Sequence, residues 1–270
     1  MKIRKLWLLP ILLLGLVLAG CSNKSNTKKS ATALTKTQVV QKAKKSFKSG
    51  QVIQSVRLAT DTSTQLVTAN TIFGGNNGTI FHITNQTTSK GKTQSTEEWV
   101  NMNNVFINGS STWYKAKLDS LSGHSYAELV NAIMDNKLIL DPSSKLVKAY
   151  KMTRKGQTYT LTANLTDKTL MKNAIEPIIA TVGQTSAQES VFRRILKYGK
   201  LKNMTVKMVV KNNKLSTFTV FVNLKLGKYM TARFGQSYGN FGSQDFLKVP
   251  TSVLNAKALP TTKSSKKSSK

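Results

Sequence analysis

The sequence predicts an α+β protein: a large curved antiparallel sheet, a half-barrel of about eleven strands, with amphipathic helices packed on its concave face. Three observations predict it. Apolar and polar residues alternate through residues 51–118, 157–165 and 201–234, the period of half-buried strands. Three Ser/Thr-x-x-Gln/Glu boxes, at Thr35, Ser125 and Ser186, open runs in which apolar residues recur every three or four positions. No linker-like stretch interrupts residues 35–259, and about 225 residues suffice for a single domain with a substantial core.

Ahead of that domain, Lys2, Arg4 and Lys5 precede an apolar run over residues 6–17 and then Leu18-Ala19-Gly20-Cys21. The apolar stretch contains Pro10 and is short of the roughly 20 residues that span a bilayer. Cys21 is the only cysteine, so no disulfide and no thiolate metal site is open to the folded part. The pattern resembles a bacterial lipoprotein signal peptide (1–20) ending in a lipobox. That resemblance implies cleavage between Gly20 and Cys21, a diacylglyceryl thioether on Cys21, and a lipid anchor in the outer face of the cytoplasmic membrane.

Without residues 1–20 the chain carries 38 Lys plus Arg against 11 Asp plus Glu, a net charge of +27. Such a charge speaks to partners rather than fold. Outside a membrane the available polyanions are anionic lipid head groups and, in a Gram-positive envelope, teichoic acid. Export argues against nucleic acid, and no aromatic residues interleave a basic stripe. Residues 21–34 and 260–270 are rich in Ser, Thr and Lys and lack acids, which predicts a disordered lipidated spacer and a disordered basic tail.

In chain order, Val39, Val40, Ala43 and Phe47 mark a first helix with a stop at Gly50. Strands are expected over 51–59, 79–87, 93–102, 105–108 and 112–117 within a meander of about six, broken by Gly and Asn turns at 74–78 and 108–109. Leu129, Val130, Ile133 and Met134 give a second helical face, followed by strands over 145–153 and 157–165. Leu170, Met171, Ala174, Ile175, Ile178, Ile179 and Val182 form the strongest helical stripe, with Pro177 expected to kink it. Val191, Phe192, Ile195 and Leu196 carry a further helix to Gly199. Strands over 201–210, 215–226, 229–234 and 246–249 and a short helix from Pro250 complete the set.

This layout, with Val105-Phe106-Ile107 and Thr112-Trp113-Tyr114-Lys115 in adjacent strands and Phe246-Leu247-Lys248-Val249-Pro250 before the last helix, resembles the LolA-like superfamily, including the LppX/LprG lipoproteins and Gram-positive members of unknown function. The resemblance implies a half-open barrel that binds or shuttles a lipid or other amphiphile between sheet and helices, without catalysis and as a monomer. Met134, Ile175, Ile179, Phe192, Met208 and Phe218 are the candidate cavity-lining residues, since Met and large apolar groups suit an adaptable pocket as well as a core. The alternative is a cationic envelope protein that binds teichoic acid or an anionic membrane surface without a cavity ligand.

Catalysis has little to stand on. Gly235-Gln236-Ser237-Tyr238-Gly239 matches G-x-S-x-G, but neither a helical run nor any histidine follows Ser237, so a turn is expected there. His82 and His124 lack ligand-spaced partners, and Glu97 and Glu98 are adjacent in a strand and should face opposite sides. No metal site and no cofactor is expected.

Overall fold

A computed structural model describes residues 33–109, 111–119, 125–183 and 185–260. The leader with Cys21, the spacer through residue 32, His124 and the tail from residue 261 lie outside the described residues. Leu34, assigned by sequence to the spacer, packs against the core, and its N–H donates to the Tyr159 hydroxyl at 3.0 Å.

Helix α1 (Lys36–Ser46) opens on a complete capping box. Thr35 Oγ1 accepts from the Gln38 N–H (3.2 Å), and Gln38 Oε1 accepts from the Thr35 N–H (2.9 Å). Val39, Val40 and Ala43 are its buried face. Six strands follow as an antiparallel meander: β1 (Gly50–Ala59), β2 (Thr64–Gly74), β3 (Ile80–Ser89), β4 (Lys92–Val100), β5 (Val105–Gly109) and β6 (Thr112–Ala116). Lys90 and Gly91, both at positive φ, make the two-residue turn from β3 to β4.

Helices α2 (Tyr126–Met134), α3 (Lys137–Leu140) and α4 (Ser144–Ala149) then run in close succession. The strand expected over 145–153 is corrected in its first half. Ser143 caps α4 through the Leu146 N–H (3.3 Å), Leu146 is fully buried, and the sheet resumes only at β7 (Lys151–Lys155). β8 (Thr158–Leu165) leads to α5 (Lys168–Val182), capped by Asp167, which accepts from the Leu170 N–H at 2.8 Å. Pro177 is accommodated within α5. Helix α6 (Ser186–Tyr198) is capped by Thr185, one residue before the expected cap, with Thr185 Oγ1 accepting from the Gln188 N–H (3.2 Å).

β9 (Lys200–Lys211) and β10 (Lys214–Leu226) form a hairpin across Asn212 and Asn213, both at positive φ, and β11 (Met230–Gly239) follows. The strand expected over 246–249 is absent. That segment instead leads into α7 (Thr251–Leu254) and the two-residue β12 (Lys257–Ala258).

The described strands make one open twelve-stranded sheet in the order β12-β6-β5-β4-β3-β2-β1-β11-β10-β9-β8-β7. It is mixed rather than purely antiparallel, because β12 pairs parallel to β6. Its concave face carries Val52, Gln54 and Val56 of β1, Phe218, Val220 and Val222 of β10, and Phe234, Gln236 and Tyr238 of β11, all buried. Helix α5 lies over this face, in contact with β1, β2, β9, β10 and β11, and buries Met171, Ala174, Ile175, Ile178, Ile179 and Val182. Each large side chain fully buried there contributes about 1.5–3 kcal/mol.

The last helix breaks the expected arrangement. Val249, Val253 and Ala256 pack on Trp99 and Phe106, which point to the convex face, so α7 lies opposite the other helices and seals a second, smaller apolar cluster. Two exposed tryptophan-containing strands would otherwise offer an apolar patch to solvent.

Candidate functional site

The inner face of a strand pair becomes polar at one place. Gln54 and Gln236 are register partners on β1 and β11, both fully buried, in a stretch where their neighbours on the same face are apolar. Gln236 Oε1 accepts from Asn136 Nδ2 (2.9 Å), and Gln236 Nε2 donates to the Tyr238 hydroxyl (2.9 Å), which donates to the Ile133 carbonyl (2.7 Å). Asn136 also caps α3, accepting from the Leu138 N–H at 3.0 Å. Gln54 Nε2 donates to the Pro177 carbonyl at 3.3 Å. The sheet thus anchors the α2–α3 junction and the middle of α5 by hydrogen bonds. Burial pushes the Tyr238 phenol well above its ordinary range, so it serves here as a neutral donor.

Above this network lies a cavity of about 530 Å³, within the range typical of ligand sites. Ala132 of α2, Leu138 of α3, and Leu170, Ala174 and Ala180 of α5 form its apolar wall, and Gln236 lies at its floor. Its rim is charged. Arg193 of α6 bridges Glu176 (2.9 Å) and Glu189 (2.6 Å), and Lys137 pairs with Asp135 (2.8 Å). Glu128, Asp135, Asp141 and Glu176 all line the cavity, four of the eleven acidic side chains in the chain.

A recess of about 70 Å³ adjoins the cavity across the shared residues Glu128 and Ala180. Asn85 of β3 and Glu98 of β4 reach into it from the concave face, and Thr181 and Gly183 close it at the C-terminal end of α5. Asn85 Nδ2 donates to Glu98 Oε1 at 3.3 Å, while Asn85 Oδ1 has no hydrogen-bond partner. Burial pushes the Glu98 carboxyl above its ordinary range, against the smaller downward pull of Asn85.

The candidate lining residues sit elsewhere. Ile175 and Ile179 of α5, Phe192 of α6, Met208 of β9 and Phe218 of β10 are all buried in the main core, and Met208 and Phe218 are register partners. None of these five lines the cavity or the recess. Met134 is partly buried beside them, its sulfur accepting from Thr79 Oγ1 at 3.4 Å. The structure brings to the cavity and recess residues that sequence reasoning did not place at a site: Asn85, Glu98, Glu128, Asn136 and Gln236.

Ser237 is corrected from a turn to the middle of β11, where it pairs with Ile53 and Thr219. It faces the convex side, away from the cavity, while Gln236 and Tyr238 face inward. Gly235 is required by packing: a Cβ there would lie 2.7 Å from the Phe221 ring and 2.8 Å from Ser55 Oγ. On the same convex face His82 Nε2 lies 2.8 Å from Glu97 Oε1 and stacks on Trp99, a pairing hidden from sequence spacing. Asn108 donates to the other Glu97 oxygen at 3.0 Å, and these bonds, Asn108 first, hold Glu97 below the ordinary carboxylate range. Among the described residues no three His, Cys, Asp or Glu side chains cluster to hold a metal ion, and no helix is long and apolar enough to cross a membrane.

No curated protein matches the chain. In overall structure it is similar to LprF from Mycobacterium bovis, with 12% identity, 81% of this chain and 97% of that chain covered, and a TM-score of 0.40. It is similar also to a LolA superfamily protein from Nitrosomonas europaea, with 12% identity, 80% and 99% covered, and a TM-score of 0.24. Residues 25–258 match the model of a family of unknown function (DUF6612), and the chain belongs to that family.

Proposed function

We propose that the chain is a lipid-anchored extracytoplasmic lipoprotein that binds or shuttles one amphiphile in the open cavity between α2, α3 and α5, without catalysis. The observation that carries this reading is the cavity itself. It has an apolar wall, a floor whose polar groups largely satisfy one another, and a charged rim, the composition expected of a site for a molecule with an apolar tail. Cys21, after its lipobox, supplies the anchor. Native mass spectrometry with lipid extraction, on protein beginning at Ser22, tests the reading. A stoichiometric adduct lost on denaturation, and lost in Ala180→Trp, which fills the cavity from α5, is the expected result. A bare mass in both proteins overturns it.

One observation favours a second reading, in which the protein binds an envelope polyanion such as teichoic acid or an anionic membrane. On the convex face Arg57 of β1 and Arg233 of β11 are direct cross-strand partners, and with Lys202 and Lys225 they line a groove of about 390 Å³ that has no acidic residue in its wall. Like charges placed directly opposite each other are unfavourable unless an anion lies between them. The two readings are compatible, since they use opposite faces of the sheet.

A further inference from the structure

We infer that the cleft between α5, α6 and the start of β9 is a subsite for a phosphate group, so that the amphiphile held in the adjoining cavity carries phosphate on its head. This inference rests on the amphiphile reading and adds the chemistry of the head group.

The cleft has a volume of about 520 Å³ and shares Glu176 and Arg193 with the amphiphile cavity, so the two spaces lie on either side of one ion pair. Leu196 of α6 and Leu201 of β9 form its apolar part, and both pack on the main core. Four lysines supply its charge: Lys168 and Lys172 from α5, Lys197 from α6 and Lys200 from β9. Glu176 is the single acid in the wall, and it is already engaged. Arg193 lies 2.9 Å from Glu176 and 2.6 Å from Glu189, so these two acids are matched to the arginine rather than to the lysines. Lys197 rests on the Tyr198 ring at 5.4 Å. Among the described residues, Lys168, Lys172 and Lys200 have no carboxylate partner.

Charge and direction narrow the guest. Three cations without an acid partner exceed what one carboxylate balances, whereas a phosphate monoester carries about −1.5 to −2 near pH 7 on three acceptor oxygens. Lysine suits it as a point-charge donor. Lys168 and Lys172 stand one helical turn apart, where like charges repel, and an anion between them removes that repulsion. The other acids of the cavity rim, Glu128, Asp135 and Asp141, lie on the α2–α3 side, and none of them lines the cleft. An anionic head is therefore repelled from one side of the cavity and attracted to the other. The Glu176–Arg193 pair does not bar its way, since both side chains are about half exposed. The tail lies against Ala174 and Ala180 while the head crosses that pair to the lysines. An uncharged head gains nothing from the cleft, and an ammonium is repelled by it.

Affinities of dodecyl phosphate, dodecanol and inorganic phosphate for the full chain carrying Cys21→Ser, measured by calorimetry at neutral pH and below micelle formation, test the inference. The expected result is dodecyl phosphate bound at least tenfold more tightly than dodecanol, with that advantage lost in the double variant Lys168→Gln, Lys172→Gln and dodecanol unaffected. The double variant Lys44→Gln, Lys45→Gln is expected to keep the advantage. It removes the same charge from the last turn of α1, beside the β9–β10 hairpin and so at the far end of β9 from the cleft. Equal affinities for the two dodecyl compounds, or an advantage that survives loss of Lys168 and Lys172, overturns the subsite but leaves the amphiphile reading standing. An advantage that falls equally in both double variants does the same, because it then belongs to the net charge of +30. Binding of inorganic phosphate that depends on Lys168 and Lys172, with neither dodecyl compound bound, makes the cleft a site for free phosphate and overturns both the head-group assignment and the amphiphile reading. Absence of binding by every probe also overturns both.

Discussion

Glu97 and Glu98 are neighbours in β4, and their carboxyl groups are displaced in opposite directions because the strand sends one to each face of the sheet. For Glu98 the folded pKa lies above the unfolded one, so folding favours its protonated form. At about pH 3 both states are protonated and the residue is neutral to stability. As pH rises past the ordinary value of 4.5, the unfolded chain releases its proton first and Glu98 begins to destabilise the fold. Glu98→Gln is therefore expected to raise the urea midpoint near pH 7 and leave it unchanged near pH 3; a lowered midpoint at neutral pH would contradict the burial argument. Glu97 behaves oppositely. Its depressed pKa gives stability that is present above the unfolded value and fades as pH falls, so Glu97→Gln should lower the same midpoint near pH 7 with a difference that shrinks in acid. The opposite facing of this pair is legible in sequence, since strand alternation dictates it. The partners are not: His82 meets Glu97, and Asn85 meets Glu98, only through the β3–β4 register, which depends on where the Lys90-Gly91 turn falls. A subtler signal was available. Gln54, Asn85 and Gln236 each interrupt an apolar face at a position where alternation calls for a buried residue, and a buried polar side chain marks a network or a site.

Helix α2 shows how an element connects local rules to the cavity. Ser125 caps it, accepting from the Glu128 N–H at 3.3 Å, while Glu128 Oε2 accepts from the Ser125 N–H at 2.6 Å. The same Glu128 lines both the cavity and the recess, so the cap also fixes a carboxylate at the site. Ser125→Ala is expected to cost about 1 kcal/mol, or roughly 2–4 °C of Tm in a domain of this size, measurable by calorimetry. A Tm within 1 °C of the parent would mean that packing on α5 and the hydrogen bonds to the sheet hold α2 without the cap. Capping chemistry made the starts of α1 and α2 readable in advance. It misplaced α6 by one residue because Thr185 and Ser186 stand side by side, and Thr185-x-x-Gln188 satisfies the pattern as well as Ser186-x-x-Glu189. Residues 145–149 read as strand because their short apolar pattern fits either period; the Ser143 cap and the burial of Leu146 decide for helix. At the other end, no local pattern distinguishes a strand over 246–249 from an irregular segment whose Leu247 and Val249 pack with Trp99 and Phe106 while Phe246 stays exposed. That choice is tertiary.

At the scale of the whole domain, two charged regions of different make-up lie on opposite faces of the sheet. Four of the scarce acids gather around the cavity on the concave side, whereas Arg57, Arg233, Lys202 and Lys225 share one groove on the convex side, where Arg233 also stacks on Phe221 at 3.8 Å. The arrangement separates two kinds of contact. A polymer of phosphate groups bound by the convex groove releases counterions, so its affinity should fall linearly in a plot of log K against log salt. Replacing Arg57 and Arg233 by Thr removes two of the four cations and also removes an unfavourable like-charge pair from the β1–β11 ladder. The double variant is therefore expected to be at least as stable as the parent, to bind purified teichoic acid more weakly, and to show a salt slope smaller by roughly two. Amphiphile binding, which uses the opposite face, should not change. If the slope is unaltered, attraction to the polymer arises from lysines spread over the whole surface and the groove is an ordinary solvated region; if the slope falls while the amphiphile adduct is retained, the two faces of the sheet act independently.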